Sequence, residues 1–109
     1  MENIDKGKAG ERIAAMFLKQ DGYEIVEMNF RCRIGEIDII AKKDDVLVFI
    51  EVKTRTTEDF GLPREAVDKN KIMKIKKVAA LYLLSERIKN YTIRYDVFEV
   101  YCNRIENAF

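Results

Sequence analysis

The spacing of apolar and polar positions predicts two helices. Apolar side chains recur at helical spacing over residues 6–20 and again over residues 69–87. Asp5 and Asp68 stand just before these stretches as N-cap residues, and Gly22 stands where the first helix ends. The two apolar stripes contain Ile13, Ala14, Phe17 and Leu18 in the first helix and Ile72, Ile75, Val78, Ala79, Tyr82 and Leu83 in the second.

Apolar runs of strand length predict four strands, at residues 23–30, 35–41, 46–53 and 92–101. Residues 54–63 contain Gly61 and Pro63 and are predicted to form a loop. The element order is therefore α-β-β-β-α-β, which predicts a single α/β domain over residues 1–109 with helices on either side of a small mixed sheet. Because the last strand returns through the second helix, we expect a right-handed crossover to any parallel neighbour.

The turn between the second and third strands determines which side chains share a face. If Asp44 and Asp45 form a two-residue turn, Asp38 faces Glu51. The same register pairs Ile39 with Ile50, Ile37 with Val52 and Ala41 with Val48 on an apolar face, and Glu36 with Lys53 and Ile40 with Phe49 on the other. A four-residue loop would keep Asp38 on the Glu51 face, whereas an odd-numbered loop would place charges in the apolar layer. The pattern brings Asp38, Glu51 and Lys53 to one face.

Two carboxylates on one face of a hairpin indicate a cation site. At a separation of about 5 Å, Asp38 and Glu51 would repel by roughly 3 kcal/mol in an effective dielectric near 20. Lys53 alone cannot balance these two charges together with that of Glu36. A Mg²⁺ or Mn²⁺ ion can, since hard cations take oxygen ligands. The alternative interpretation is a surface cluster of salt bridges.

Composition narrows the chemistry further. The net charge is +1 and histidine is absent, so the sequence excludes histidine-based catalysis and histidine metal ligands. Cys32 and Cys102 form no C-x-x-C motif, which argues against a zinc site. The N-terminus is not a signal peptide, and no apolar run has the length of a membrane span. We therefore expect a cytoplasmic protein with no membrane association.

The acidic hairpin resembles the PD-(D/E)xK nuclease superfamily. Asp38 followed by Glu51-Val52-Lys53 matches its motif, although Ile37 replaces the usual proline before the aspartate. The segment that contains Gly10 and Glu11 is similar to the first helix of archaeal Holliday-junction resolvases, in which an equivalent glutamate joins the metal site. The resemblance implies a three-layer restriction-endonuclease-like fold with a central mixed sheet.

A closer resemblance covers nearly the whole chain. It is similar to the YraN-like bacterial family in the blocks Gly10-Glu11, Gly22-Tyr23, Asn29-Phe30-Arg31-Cys32-Arg33, Gly35-Glu36-Ile37-Asp38, Phe49-Ile50-Glu51-Val52-Lys53-Thr54-Arg55, Phe60-Gly61, Ala66-Val67, Tyr95-Asp96-Val97 and Asn107-Ala108-Phe109. That family is regarded as uncharacterised, with an inferred nuclease-like fold.

These resemblances imply a Mg²⁺- or Mn²⁺-dependent nuclease that cleaves phosphodiester bonds. Asp38 and Glu51 are the expected metal ligands, together with the Val52 carbonyl; Lys53 would orient water or stabilise charge on the phosphate. Glu11 is expected as an outer ligand that takes part in catalysis, and Glu36 as a further metal ligand.

The expected partner is nucleic acid, DNA in particular, and the resemblance to resolvases suggests branched DNA. The residues expected to bind it are Arg31, Arg33, Arg55 and Lys71, whereas Lys74, Lys76 and Lys77 are interpreted as a solvated helix face. A homodimer is expected only by analogy with two-fold resolvases. The alternative is a catalytically inactive module that keeps the fold and binds nucleic acid or protein. A carboxylate-pair glycosidase is disfavoured because the small fold offers no sugar cleft.

Overall fold

The computed structural model describes residues 6–56 and 68–109. Its elements are α1 (Lys6–Gln20), β1 (Glu24–Arg31), β2 (Glu36–Lys43), β3 (Val46–Thr56), α2 (Lys69–Ser85) and β4 (Thr92–Cys102). The predicted α-β-β-β-α-β order and mixed α/β architecture are therefore confirmed. β3 runs further than predicted, and α2 ends earlier. Asp5, Gly61 and Pro63 lie outside the described residues.

One four-stranded sheet, in the order β1-β2-β3-β4, forms the middle layer. The pairs β1–β2 and β2–β3 are antiparallel, and β4 is parallel to β3. A parallel neighbour needs a crossover connection, and α2 provides it between β3 and β4. Among the described residues, neither helix is long and apolar enough to cross a membrane.

The two faces of the sheet carry separate apolar clusters. The α1-side cluster contains Ala14, Leu18, Ile39, Ala41, Val48 and Ile50. The α2-side cluster contains Ile37, Ile40, Leu47, Phe49, Val78, Ala79 and Tyr82. Because the middle of the β2–β3 hairpin is buried on both faces, its sequence is almost continuously apolar.

The buried face of helix α1 is narrower than the sequence predicts. Ala14 and Leu18 are buried, but Ile13 is 36% exposed and Phe17 is 59% exposed, so the predicted four-residue stripe is only half correct. The buried line starts one turn earlier, at Gly10, where an added Cβ would collide with the Thr54 hydroxyl. A close approach at a residue without a side chain thus determines which face of α1 meets the sheet.

The helix ends follow their sequence signals. Asp68 caps α2, because its Oδ1 accepts a hydrogen bond from the Lys71 backbone N–H at 2.8 Å. Gly22 has a φ of +91°, the left-handed conformation that suits glycine after a helix. The predicted apolar face of α2 is confirmed at Val78, Ala79 and Tyr82, whereas Ile72 is exposed.

The predicted two-residue turn at Asp44 and Asp45 is confirmed, and with it the hairpin register. Lys43 faces Val46, and Ile39 faces Ile50 at the far end of the ladder. Beyond that pair the strands separate. The start of β2 stays paired with β1, as Phe30 with Ile37, while the end of β3 stays paired with β4.

The separation of the strands overturns the predicted pair of Ile37 with Val52. Ile37 does not share the Val52 face. It packs in the α2-side cluster, whereas Ile39, two residues later, packs in the α1-side cluster. Regular alternation would put both on one side, so the strand is irregular at Asp38, which lies between them.

Candidate active site

Asp38 occupies the point where β2 and β3 separate. Its Oδ2 accepts a hydrogen bond from the Val52 backbone N–H at 2.8 Å, so a side-chain oxygen takes the place of a carbonyl of the partner strand. The N–H and C=O groups of a strand residue point to the same side, so the Val52 carbonyl is directed into the same gap. Asp38 is only 8% exposed, and this hydrogen bond joins the acid to β3.

Glu51 is the second buried acid of the site, with 9% exposure. It lies one position beyond the last regular pair of the hairpin, and two lysines contact it. Lys71 Nζ, from the first turn of α2, is 2.9 Å from Glu51 Oε1, and Lys53 Nζ is 3.8 Å from the same oxygen. The first turn of α2 therefore forms one side of the site, which the hairpin pattern alone does not predict.

The surroundings of Asp38 favour its protonated form. Burial, together with the charges of Glu51, Glu11 and Glu36, raises its pKa to about 7, although the Val52 N–H opposes the shift. A carboxyl group with this pKa is half-charged near neutral pH. A cation placed beside it would lower this pKa again, because it would stabilise the charged carboxylate.

The two lysines differ in their charge balance. Burial lowers the pKa of Lys53, and the adjacent Lys71 ammonium lowers it further. For Lys71, burial is outweighed by hydrogen bonds to Glu51 and Lys53 and by the charges of Glu51 and Asp38, so its pKa is raised. Lys71 therefore holds its proton more strongly than Lys53, which is the amine that more readily loses it.

The two outer acids predicted for the site lie within electrostatic reach of Asp38. The charges of Glu11 and Glu36 both raise the pKa of Asp38. Glu36, however, does not pair with Lys53 as the register suggested, because its Oε2 is 2.6 Å from Arg31 Nε. The reason is that Glu36 stays on the part of β2 that pairs with β1, directly opposite Arg31.

The three arginines predicted to bind nucleic acid differ in their surroundings. Arg31 is held by Glu36 but remains exposed, and Arg33 is exposed. Arg55 is buried, and its Nε lies 2.7 Å from Glu99 Oε2 on β4, so its guanidinium is part of an ion pair on the sheet. The sequence pattern does not predict Glu99 as this partner, because α2 separates β3 from β4 along the chain and the pairing of the two strands is not a local feature.

A cleft of about 400 Å³ opens beside the two buried acids. Its walls include Glu36, Asp38, Glu51, Asn70, Lys71 and Lys74. Lys74 was interpreted as solvated, and Asn70 carried no prediction at all. Their spacing in the sequence could have indicated them. Residues 70 and 74 are one turn apart, so they lie on the same face of α2, and that face borders the site.

The described residues contain no ready-made cluster of three acidic, cysteine or histidine side chains that would hold a metal ion. The oxygen donors at the gap are instead two carboxylates, Asp38 and Glu51, and the carbonyl of Val52. Such a donor set suits Mg²⁺ or Mn²⁺, which keep several water ligands and need few from the protein.

Comparison with known proteins shows the family to which the chain is similar. Residues 10–100 match the model of the uncharacterised protein family UPF0102. The chain belongs to that family. A UPF0102 protein of Caldanaerobacter subterraneus is 51% identical over 106 residues, which cover 94% of this chain and 87% of that protein. A UPF0102 protein of Clostridioides difficile is 46% identical over the full length of both chains. The resemblance to the YraN-like family is thereby confirmed.

The raised pKa of Asp38 predicts how the stability of this UPF0102 protein varies with pH. Without metal, the folded protein keeps the Asp38 proton up to a pH of about 7, whereas the unfolded chain loses it near 3.8. The stabilising contribution is therefore complete below about pH 3.8 and is lost as the pH rises through about 7. The Asp38→Asn variant keeps an acceptor for the Val52 N–H but has no charge to desolvate, so its loss of stability over this range should be smaller. Urea unfolding in EDTA across this range measures both proteins, and parallel curves would contradict the prediction.

Proposed function

We propose that this UPF0102 protein is a Mg²⁺- or Mn²⁺-dependent nuclease that hydrolyses phosphodiester bonds of nucleic acid, DNA in particular. The observation that carries the proposal is the pair of buried acids, Asp38 and Glu51, held at the point where β2 and β3 separate and accompanied by Lys53 and Lys71. Burying two adjacent carboxylates costs free energy that a purely structural site would avoid. The cost is understandable if a cation completes the site.

The residues at the gap fit a hard divalent cation. All the donors are oxygens, the pKa of Asp38 is raised by burial and by the nearby charges of Glu51, Glu11 and Glu36, and the cleft gives access from solvent. Asp38, Glu51 and the Val52 carbonyl would hold the ion, with Glu11 and Glu36 as outer acids. When bound, the ion would polarise a phosphate and supply hydroxide near neutral pH.

The remaining roles belong to side chains of this chain. Lys53 lies two residues after Glu51 on the same side of β3, and burial together with the Lys71 ammonium lowers its pKa, which favours the neutral amine that could accept a proton from a water molecule. Lys74 and Asn70, on the cleft wall, can contact phosphate oxygens of the substrate backbone. Arg31, whose ion-pair partner Glu36 lines the cleft, and Arg33 are both exposed and would extend that contact.

The alternative is a catalytically inactive module that binds nucleic acid or protein. One observation favours it: the Lys71 ammonium already contacts Glu51 at 2.9 Å, so the site is partly neutralised without metal. Both proposals keep a basic cleft wall, and they differ in whether a divalent cation binds at Asp38. Branched DNA as the substrate and a two-fold dimer remain predictions from the resemblance to resolvases.

Calorimetric titration with Mn²⁺ separates the two proposals. We expect the wild-type protein to bind Mn²⁺ at Asp38 and Glu51, and we expect Asp38→Asn to weaken the affinity at least about tenfold, which corresponds to about 1.4 kcal/mol. The asparagine keeps the contact with the Val52 N–H, so the fold is preserved and only the charge is removed. Failure of the wild-type protein to bind Mn²⁺ would favour the inactive module.

A further inference from the structure

Lys71 lies closer to Glu51 than the motif lysine does. Its Nζ is 2.9 Å from Glu51 Oε1, against 3.8 Å for Lys53 Nζ. The two lysines reach this oxygen from different layers, since Lys53 is on β3 and Lys71 is on α2. The Lys71 ammonium thus already contacts Glu51 Oε1, a carboxylate oxygen that would bind a metal ion in the proposed function.

We propose that Lys71 is an internal counter-cation that competes with the divalent metal for Glu51 and thereby weakens the metal affinity of the free protein. This inference rests on the proposed function, because it concerns the same site. In the metal-free protein the ammonium balances Glu51 and allows the acid to remain buried. When a divalent cation binds, the ammonium is displaced from that oxygen.

The lysine side chain suits this exchange. An ammonium on a four-carbon stem is a compact charge that can swing, whereas a guanidinium would hold a carboxylate in a fixed two-pronged contact. The Lys71 side chain is 39% exposed, so it has room to leave Glu51 without breaking into the core. Its anchor does not move, because the Lys71 backbone N–H is held by the Asp68 cap.

The displaced ammonium stays in the cleft. Lys71 and Lys74 both line it, so a lysine released from Glu51 remains beside the place where a substrate phosphate would bind. A phosphate that attracts the ammonium would in turn favour metal binding, and such coupling acts equally in both directions. The device would keep the metal site weak until a substrate is present.

The test compares Lys71→Met with Lys74→Met. Both substitutions remove one ammonium from the wall of the cleft, but only Lys71 is in contact with Glu51. We expect Lys71→Met to bind Mn²⁺ about tenfold more tightly than wild type by calorimetry, equivalent to about 1.4 kcal/mol. Lys74→Met should stay within about twofold, because a lysine that does not contact the acid acts only through screened charge.

Thermal unfolding supplies a second measurement. Without metal, Lys71→Met leaves Glu51 without its closest cation, so this variant should unfold at a lower temperature than wild type. Addition of Mn²⁺ should then raise its unfolding temperature more than that of wild type, because stabilisation by a ligand grows with affinity. Lys71→Gln, which keeps a polar end, serves as a second variant should the methionine protein fold poorly.

The possible failures are distinct. If wild type binds Mn²⁺ in an Asp38-dependent manner but Lys71→Met binds it equally or more weakly, Lys71 is not a competitor and only this inference is overturned. If neither wild type nor Lys71→Met binds Mn²⁺, both the inference and the proposed nuclease function are overturned.

Discussion

Asp38→Asn and Glu51→Gln are each expected to lower the rate of metal-dependent cleavage by at least about a thousandfold, which corresponds to about 4 kcal/mol in activation free energy. Each substitution removes one negative charge from the gap between β2 and β3 while keeping the size of the side chain. Asp38 and Glu51 are the two carboxylates that would hold the cation directly, so loss of either charge would leave the cation poorly held. Lys53→Met should have an effect of similar size if its amine handles the proton of the attacking water.

The assay uses labelled single-stranded, duplex and four-way-junction DNA and single-stranded RNA, each with Mn²⁺ and with EDTA. Glu24→Gln is the matched control: Glu24 lies on β1, its contact is a 3.8 Å ion pair with Lys42, and it should keep the wild-type rate. Equal cleavage by wild type and by Asp38→Asn would assign the activity to a contaminant or to another site. If wild type cleaves none of the four substrates, the inactive module becomes the better proposal.

Phe49→Ala is expected to lower the free energy of unfolding by about 3–5 kcal/mol, the usual cost of truncating a buried aromatic side chain. Phe49 is 1% exposed and lies in the middle of β3, with rings on two sides. Its ring centroid is 6.0 Å from that of Tyr82 on α2 and 5.7 Å from that of Tyr95 on β4. The substitution leaves a cavity at the junction of three elements, where none can move in to fill it.

Urea unfolding followed by circular dichroism measures this effect. Phe17→Ala is the matched control, since the same residue type is removed from α1, where its ring is 59% exposed and its centroid lies 6.4 Å from that of Phe98 on β4. Its cost should stay below about 1 kcal/mol, as for most surface substitutions. A Phe17→Ala effect as large as that of Phe49→Ala would mean that the core is not centred on the α2 face of β3.

The β2–β3 hairpin could be predicted from the sequence because its register depends on local information. A two-residue turn at Asp44 and Asp45 and a nearly continuous apolar run leave one low-cost pairing, and the structure has that pairing as far as Ile39 and Ile50. The prediction for Ile37 was wrong because strict alternation assumes that strands stay paired. A strand that separates from its neighbour satisfies its backbone groups in another way, here through the Asp38 side chain.

The remainder of the site depends on tertiary packing, which periodicity does not encode. The sequence indicated Lys71 only as a residue that could bind nucleic acid, and its contact with Glu51 follows from how α2 crosses the sheet. Arg55 looked available because it follows Lys53, but the parallel pairing of β3 with β4 gives it Glu99 as a partner. Contacts between elements far apart in the chain were the part that the sequence pattern could not supply.

The length of the turn at Asp44 and Asp45 determines the positions of the two buried acids, because it sets the register of β2 and β3. Asp44 lies six positions after Asp38, or about 20 Å along the strand. One inserted residue there would slide one strand past the other and exchange inward for outward side chains, unless a bulge took up the extra residue. The length of this remote connection is therefore under the same constraint as the acids themselves, although nothing in the turn touches a substrate.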